Sequence, residues 1–232
     1  GKAYEWRYAG RKDKVKRSAF TIEQYRTLYR YMASKAYLNI GKHKANGAVD
    51  RRIVRHRHML RAYILFLANT GLRVGEARHL KFSDIRETYN KLEQHICVVR
   101  IDEKYSKVKR AQTEIVGRLM ALKALQRWKD YKQSIGEDIS GEAYIFSNQD
   151  GEVISDFREG FKQVLKEAGV EKDANGNNHV IYDLRHTYCT FRLQYGKVSI
   201  HSLARNLRTS VSMIMGYYDD TVTEDFKDEL SI

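Results

Sequence analysis

The chain has 232 residues, 42% of them hydrophobic and 31% charged, a balance that belongs to a folded protein and excludes a disordered one. Its longest apolar run, A-Y-I-L-F-L-A at residues 62–68, is far too short to span a bilayer, so neither membrane insertion nor a membrane partner is expected. Lysine and arginine exceed the acids by 13, which favours a polyanionic partner, because each phosphate neutralised by a basic side chain releases a condensed counterion.

Residues 1–17, with R-K-D-K-V-K-R at 11–17, read as a basic linker; residues 18–218 read as the main domain. There is no apolar core of a leader here, and a cytoplasmic location is expected. At F-T-I-E-Q-Y-R-T-L-Y-R-Y-M, Thr21 and Gln24 form a capping-box pair, and Phe20 is placed to staple onto Tyr25. Ile22, Tyr25, Leu28, Tyr29 and Met32 then repeat at helical spacing. Residues 39–50 are polar and glycine-containing, a loop. A second helix is expected over about 50–69, opening on the cationic run R-R-I-V-R-H-R-H-M-L-R and lining up Met59, Leu60, Tyr63, Ile64 and Leu67. N-T-G breaks it, and R-V-G-E-A-R-H-L begins a short third helix.

The pattern then turns β-branched. H-I-C-V-V-R-I (95–101) and Q-T-E-I-V-G (112–117) read as a hairpin whose connector, D-E-K-Y-S-K-V-K-R-A, is cationic, and K-F-S-D-I (81–85) is a candidate third strand. Helices resume at about 118–134, 157–168, 183–194, 200–206 and 210–217. The expected class is mainly α with one small antiparallel sheet (α+β); the absence of βαβ alternation disfavours a doubly wound nucleotide fold. Residues 219–232 carry six acids and one lysine. They read as a short helix opening on a Thr221–Glu224 capping box, with Val222, Phe226 and Leu230 on one stripe, suited to docking on its own domain or in trans. Cys97 and Cys189 are too few for a disulfide framework and read as reduced core thiols. No His or Cys set has metal-ligand spacing, so no metal and no cofactor are expected.

Four features carry chemistry: Arg73 in T-G-L-R-V-G-E-A, the hairpin lysines, Arg185 in Y-D-L-R-H-T-Y, and the adjacent Tyr217 and Tyr218. Each alone has an ordinary explanation: a helix-start arginine pairs with Glu76, a turn lysine is solvated, an arginine snorkels, tyrosines pack. Together, T-G-L-R-V-G-E-A, L-R-H-T-Y-C-T and a following tyrosine resemble the catalytic domain of the tyrosine recombinase (phage integrase) family. The resemblance runs from about R-S-A-F-T-I-E-Q to Tyr218, with L-K-F-S-D-I and G-E-A-Y-I-F-S-N-Q-D-G-E-V-I-S-D-F in supporting context.

The resemblance implies a site-specific DNA recombinase or integrase of a phage or mobile element. It would act on double-stranded DNA as a homotetramer, through a 3′-phosphotyrosyl intermediate, without ATP or metal. Arg73 and Arg185 would grip the scissile phosphate and Tyr218 would be the nucleophile. Y-S-K-V-K-R set against T-K-T-G-K-R places the hairpin lysine at Lys107, one residue short of a full match, so Lys109 competes. The family carries His or Trp nine residues before the nucleophile in L-G-H-S. This chain has L-R-T-S, putting Thr209 at that position and Arg208 at the glycine; choosing Tyr217 instead breaks the match. The histidine expected before Leu-Arg is Tyr182 here. Neither a phenol nor a hydroxyl carries a proton at neutral pH as imidazole does, which leaves His186 as another source of imidazole chemistry. Two further readings stay open: a catalytically inert DNA-binding relative, and a type IB topoisomerase-like relaxase.

Overall fold

The computed structural model describes residues 18–39, 50–106, 113–196 and 198–218. The basic linker to residue 17, the loop at 40–49, Lys107, Lys109 and the acidic tail from 219 lie outside the described residues. In chain order the elements are α1 (Ile22–Ala33), α2 (Lys35–Asn39), α3 (Arg51–Thr70), α4 (Val74–Arg78), β1 (Ile85–Tyr89), β2 (His95–Ile101) and β3 (Thr113–Arg118). They are followed by α5 (Leu119–Ser134), α6 (Arg158–Ala168), α7 (Asp183–Gln194), α8 (Ile200–Asn206) and α9 (Val211–Tyr218). The mainly helical class with a small antiparallel sheet is therefore as expected.

Helix α3 is the axis. Asp50 caps it by accepting from the Arg52 N–H at 2.9 Å, and Gly71 ends it in the left-handed conformation. From Met59 to Thr70 nearly every side chain is buried, because α5 and α7 pack on it from different sides. A helix apolar on all faces is stable only at such a centre. Around it lies the main core, including Phe20, Leu28, Trp128, Phe146, Phe157 and Leu184. A second, smaller cluster of Tyr188, Leu203, Ala204, Leu207 and Ile214 ties α8 and α9 to the end of α7.

The sheet has the order β1-β2-β3, with Val99 opposite both Ile85 and Ile115. Cys97, Val99 and Ile101 lie on one face of β2 and are buried, and Val98 between them is buried as well. Burial pushes the Cys97 thiol up to about 12 and the Cys189 thiol up to about 11, and both cysteines are reduced.

Two expectations are corrected, and two features add to the sequence reading. The third strand is not K-F-S-D-I: Lys81 makes an isolated bridge to Tyr144, residues 82–84 form a 3-10 turn, and pairing begins only at Ile85. Helix α2 follows Ser34, whose Oγ accepts from the Tyr37 N–H at 3.2 Å and holds the break between α1 and α2. Phe20 serves the tertiary core, not a local staple: its ring stacks on His179 at 3.7 Å and meets Phe161 edge-on, while Tyr25 meets Phe191. Finally, the cationic run opening α3 lies partly in the interior. Arg55 and Arg57 are buried, and pair with Glu137 at 2.8 Å and Glu167 at 2.7 Å. The desolvation of a buried arginine is offset only when such a partner is in place.

Candidate active site

Site geometry starts from the end of α3. Gly71 can take φ 67° because it has no Cβ, and this turn sends the chain into α4 with Arg73 at the helix start. The Arg73 guanidinium then makes two bonds. Its Nη1 donates to Glu76 Oε1 at 3.1 Å, and its Nη2 donates to the Arg208 carbonyl at 3.0 Å. Glu76 is almost wholly buried, and its other oxygen accepts from the Arg73 backbone N–H at 3.4 Å.

Arg185 reaches the same place from α7. Its Nη1 donates to the Gly71 carbonyl at 2.6 Å and its Nη2 to the Leu207 carbonyl at 2.9 Å. Two arginines distant in sequence are thus held by consecutive carbonyls, Leu207 and Arg208, of the α8–α9 turn. Burial and the neighbouring Arg73 charge lower the Arg185 pKa from its ordinary value, yet a guanidinium remains charged at any ordinary pH. Two cations this close, with one buried carboxylate beside them, make a site that favours an anion.

The α8–α9 turn owes its shape to Arg208, which has φ 52°. The left-handed region costs a residue with a Cβ about 1–2 kcal/mol. Its side chain bonds Glu76 Oε1 at 2.7 Å and Ser106 Oγ at 2.9 Å. Thr209 follows and donates its N–H to the Ala204 carbonyl at 3.0 Å. Helix α9 begins two residues later, and Tyr217 and Tyr218 are its last turn; their side chains lie outside the described residues. Ser106 ends a 3-10 turn (Glu103–Tyr105) after β2, and Tyr105 stacks on His79 at 4.0 Å, so the base of the hairpin is anchored beside α4.

Of the residues expected from sequence, Arg73, Arg185 and Thr209 converge on this turn. Tyr182 stands at the start of α7, about a third exposed, with its ring edge-on to His186 at 4.9 Å. His186 itself is buried, and burial lowers its pKa to about 4, with Asp183 opposing and Arg185 adding to the shift. At neutral pH it is an uncharged imidazole. Sequence reasoning passed over Glu76 and Arg208 as site members. The Arg-x-x-Glu spacing signalled the first, and the arginine in place of glycine in L-R-T-S the second.

The His186 shift carries a pH prediction. The unfolded chain takes up a proton near 6.5 and the folded chain only near 4, so the stability present above pH 6.5 is lost as pH falls toward 4. The loss from this group is about 3 kcal/mol. His56 and His58, also held low by burial, add to it. The melting temperature should therefore fall between pH 7 and pH 4, and less steeply in His186→Gln; identical slopes would contradict the assignment.

Among the described residues no group of three His, Cys, Asp or Glu side chains is arranged to hold a metal ion, and no helix is long and apolar enough to cross a membrane.

Comparison with known proteins gives a consistent picture. The family model described as the phage integrase family matches residues 26–224. The XerH site-specific recombinase bound to palindromic difH substrate, a post-cleavage complex, superposes with a TM-score of 0.63 at 16% identity, over 94% of this chain and 53% of that one. XerA recombinase gives 0.61 at 19% identity, over 95% and 66%. The Tn1549 transposon integrase in complex with transposon right end DNA gives 0.60 at 18% identity, over 94% and 66%. The chain thus spans about half to two thirds of the length of these structures, and at such identities the likeness is one of fold. No curated protein matches.

Proposed function

The chain belongs to the phage integrase family of tyrosine recombinases, and from that premise we propose that it cuts and rejoins double-stranded DNA at specific sites, with Tyr218 as nucleophile. The observation that carries this reading is the convergence of Arg73 and Arg185 on the turn directly preceding the helix that ends in Tyr218. The net charge of +13 suits a polyanion, and the XerH and Tn1549 integrase structures are complexes with DNA.

In this mechanism the two guanidinium groups take the non-bridging oxygens of the scissile phosphate. They count most in the transition state, where negative charge on those oxygens is greatest. The Tyr218 phenol oxygen forms a bond to phosphorus as the bond to the 5′ oxygen breaks, leaving a 3′-phosphotyrosyl ester and a 5′ hydroxyl. The phenol proton passes to solvent water, and the departing oxygen gains one from the hairpin lysine, Lys107 or Lys109. Tyr182 and Thr209 hydrogen-bond the phosphate in place of imidazoles. Attack by a 5′ hydroxyl on the ester reverses the step and rejoins DNA without ATP, since the ester conserves the bond energy. One protomer serves each cleaved strand, hence a homotetramer on a pair of duplex sites.

The test is an adduct assay with nicked duplexes tiled across the DNA flanking the gene, the nick letting the short strand that carries the released 5′ hydroxyl escape. The wild type should give a protein–DNA adduct that survives denaturation, and Tyr218→Phe should lower its yield about 10³-fold or more. Tyr217→Phe should retain it; the reverse pattern moves the nucleophile to Tyr217. DNA binding with no adduct on any duplex would favour an inert DNA-binding relative, the reading that Tyr182 and Thr209 motivate. Relaxation without strand exchange would favour a relaxase.

A further inference from the structure

Arg208 stands apart from the shared chemistry of the site. The motif that L-R-T-S resembles has glycine at this position, and the backbone here keeps a conformation that glycine adopts freely, φ 52°. The chain therefore tolerates an unfavourable backbone in order to place a guanidinium. A strained residue beside a reactive centre motivates a functional hypothesis, provided its side chain has somewhere to act.

That side chain is directed into the site. It is about one-tenth exposed, its Nη2 lies 2.7 Å from Glu76 Oε1, and its Nη1 donates to Ser106 Oγ at 2.9 Å. The same Glu76 oxygen receives Arg73 Nη1 at 3.1 Å, and the Arg208 carbonyl receives Arg73 Nη2 at 3.0 Å. Arg73 is thus held on both forks through Arg208: once by its backbone and once by the carboxylate it shares. With glycine at 208, the backbone bond survives, but Glu76 keeps one cation instead of two and the link to Ser106 is gone.

We propose that Arg208 is a positioning residue for DNA cleavage, fixing Glu76 and through it the Arg73 guanidinium against the α8–α9 turn and the base of the hairpin. The proposal rests on the recombinase reading above. A carboxylate shared by two guanidinium groups has one rotamer that satisfies both. Arg73 is then preset in the plane from which its remaining N–H groups meet phosphate oxygens. Such presetting acts on rate, because small misplacement of a group that stabilises the transition state slows the reaction steeply.

The experiment compares wild type, Arg208→Gly and Arg208→Lys in single-turnover cleavage of the nicked duplexes, with duplex Kd and melting temperature measured on the same preparations. Arg208→Gly should melt close to wild type, since relief of the backbone offsets the lost bonds, and should bind the duplex with unchanged Kd. Its maximal cleavage rate should nevertheless fall about 10- to 100-fold. Arg208→Lys, which restores a cation for Glu76 but not the fork, should recover part of that loss. Arg208→Gly cleaving within about twofold of wild type would overturn the proposal. So would a drop in melting temperature in both variants with cleavage reduced only by the unfolded fraction, since that pattern is structural. Wild type forming no adduct on any duplex removes the recombinase reading itself; a wild-type adduct beside an unimpaired Arg208→Gly removes only this proposal.

Discussion

Arg185→Lys is expected to slow single-turnover DNA cleavage by about two to three orders of magnitude while leaving a folded chain. The arginine is nearly buried and makes two separate bonds, from Nη1 to the Gly71 carbonyl at 2.6 Å and from Nη2 to the Leu207 carbonyl at 2.9 Å. A lysine keeps the charge but has a single donor centre, which cannot bridge two carbonyls and still present a planar fork to phosphate. Leaving a buried carbonyl without a donor costs about 1–3 kcal/mol, less than the stability of a domain of this size. The measurement is the cleavage rate at saturating enzyme, with circular dichroism as the check on folding. A lysine variant that cleaves within tenfold of wild type would show that Arg185 acts as a simple charge, and the forked contact would lose its place in the mechanism.

The second large effect is on stability. Gly71→Ala should destabilise the chain by about 2–4 kcal/mol, lowering the melting temperature by roughly 5–15 °C. Two causes act together. The residue has φ 67°, and a Cβ there collides with Tyr188 Cδ1 and falls 2.8 Å from Leu207 Cδ2, in the small cluster that supports α8 and α9. Gly136 separates the two causes: it has φ 75°, and nothing lies within 4 Å of its added Cβ. Gly136→Ala should cost only the backbone strain, about 1 kcal/mol. Equal losses in the two variants would remove the packing part of the argument. Because Gly71 also supplies the carbonyl that holds Arg185, cleavage by Gly71→Ala should fall even at temperatures where it remains folded.

How much of this was legible follows from the range of each interaction. The capping box at Thr21 and Gln24 forms as read, with Gln24 N–H on Thr21 Oγ1 at 3.2 Å and Thr21 N–H on Gln24 Oε1 at 3.0 Å. β2 occupies His95–Ile101, as read, because a β-branched, apolar run suits a pleated, half-buried surface. Helix α2 was missed because five residues present no periodicity, and the serine that starts it is equally at home in a turn.

Partner choice across the chain was not legible. Phe20 looked like one half of a local staple, but His179 and Phe161 offered more burial. Nothing local marks Arg55 and Arg57 for burial; only the packing of α5 and α6 beside α3 brings Glu137 and Glu167 to them. At the site, Arg-x-x-Glu placed Glu76 beside Arg73 because both lie on one helical turn. The sequence by itself determined the helices other than α2, the hairpin strands and the two arginine motifs, since caps, periodicity and turn chemistry act over a few residues. Tertiary structure alone decided that the Leu207 and Arg208 carbonyls hold both arginines and that Arg208 shares Glu76. Those contacts join segments that are remote in sequence, and they exist only once α4, α7 and the α8–α9 turn have packed.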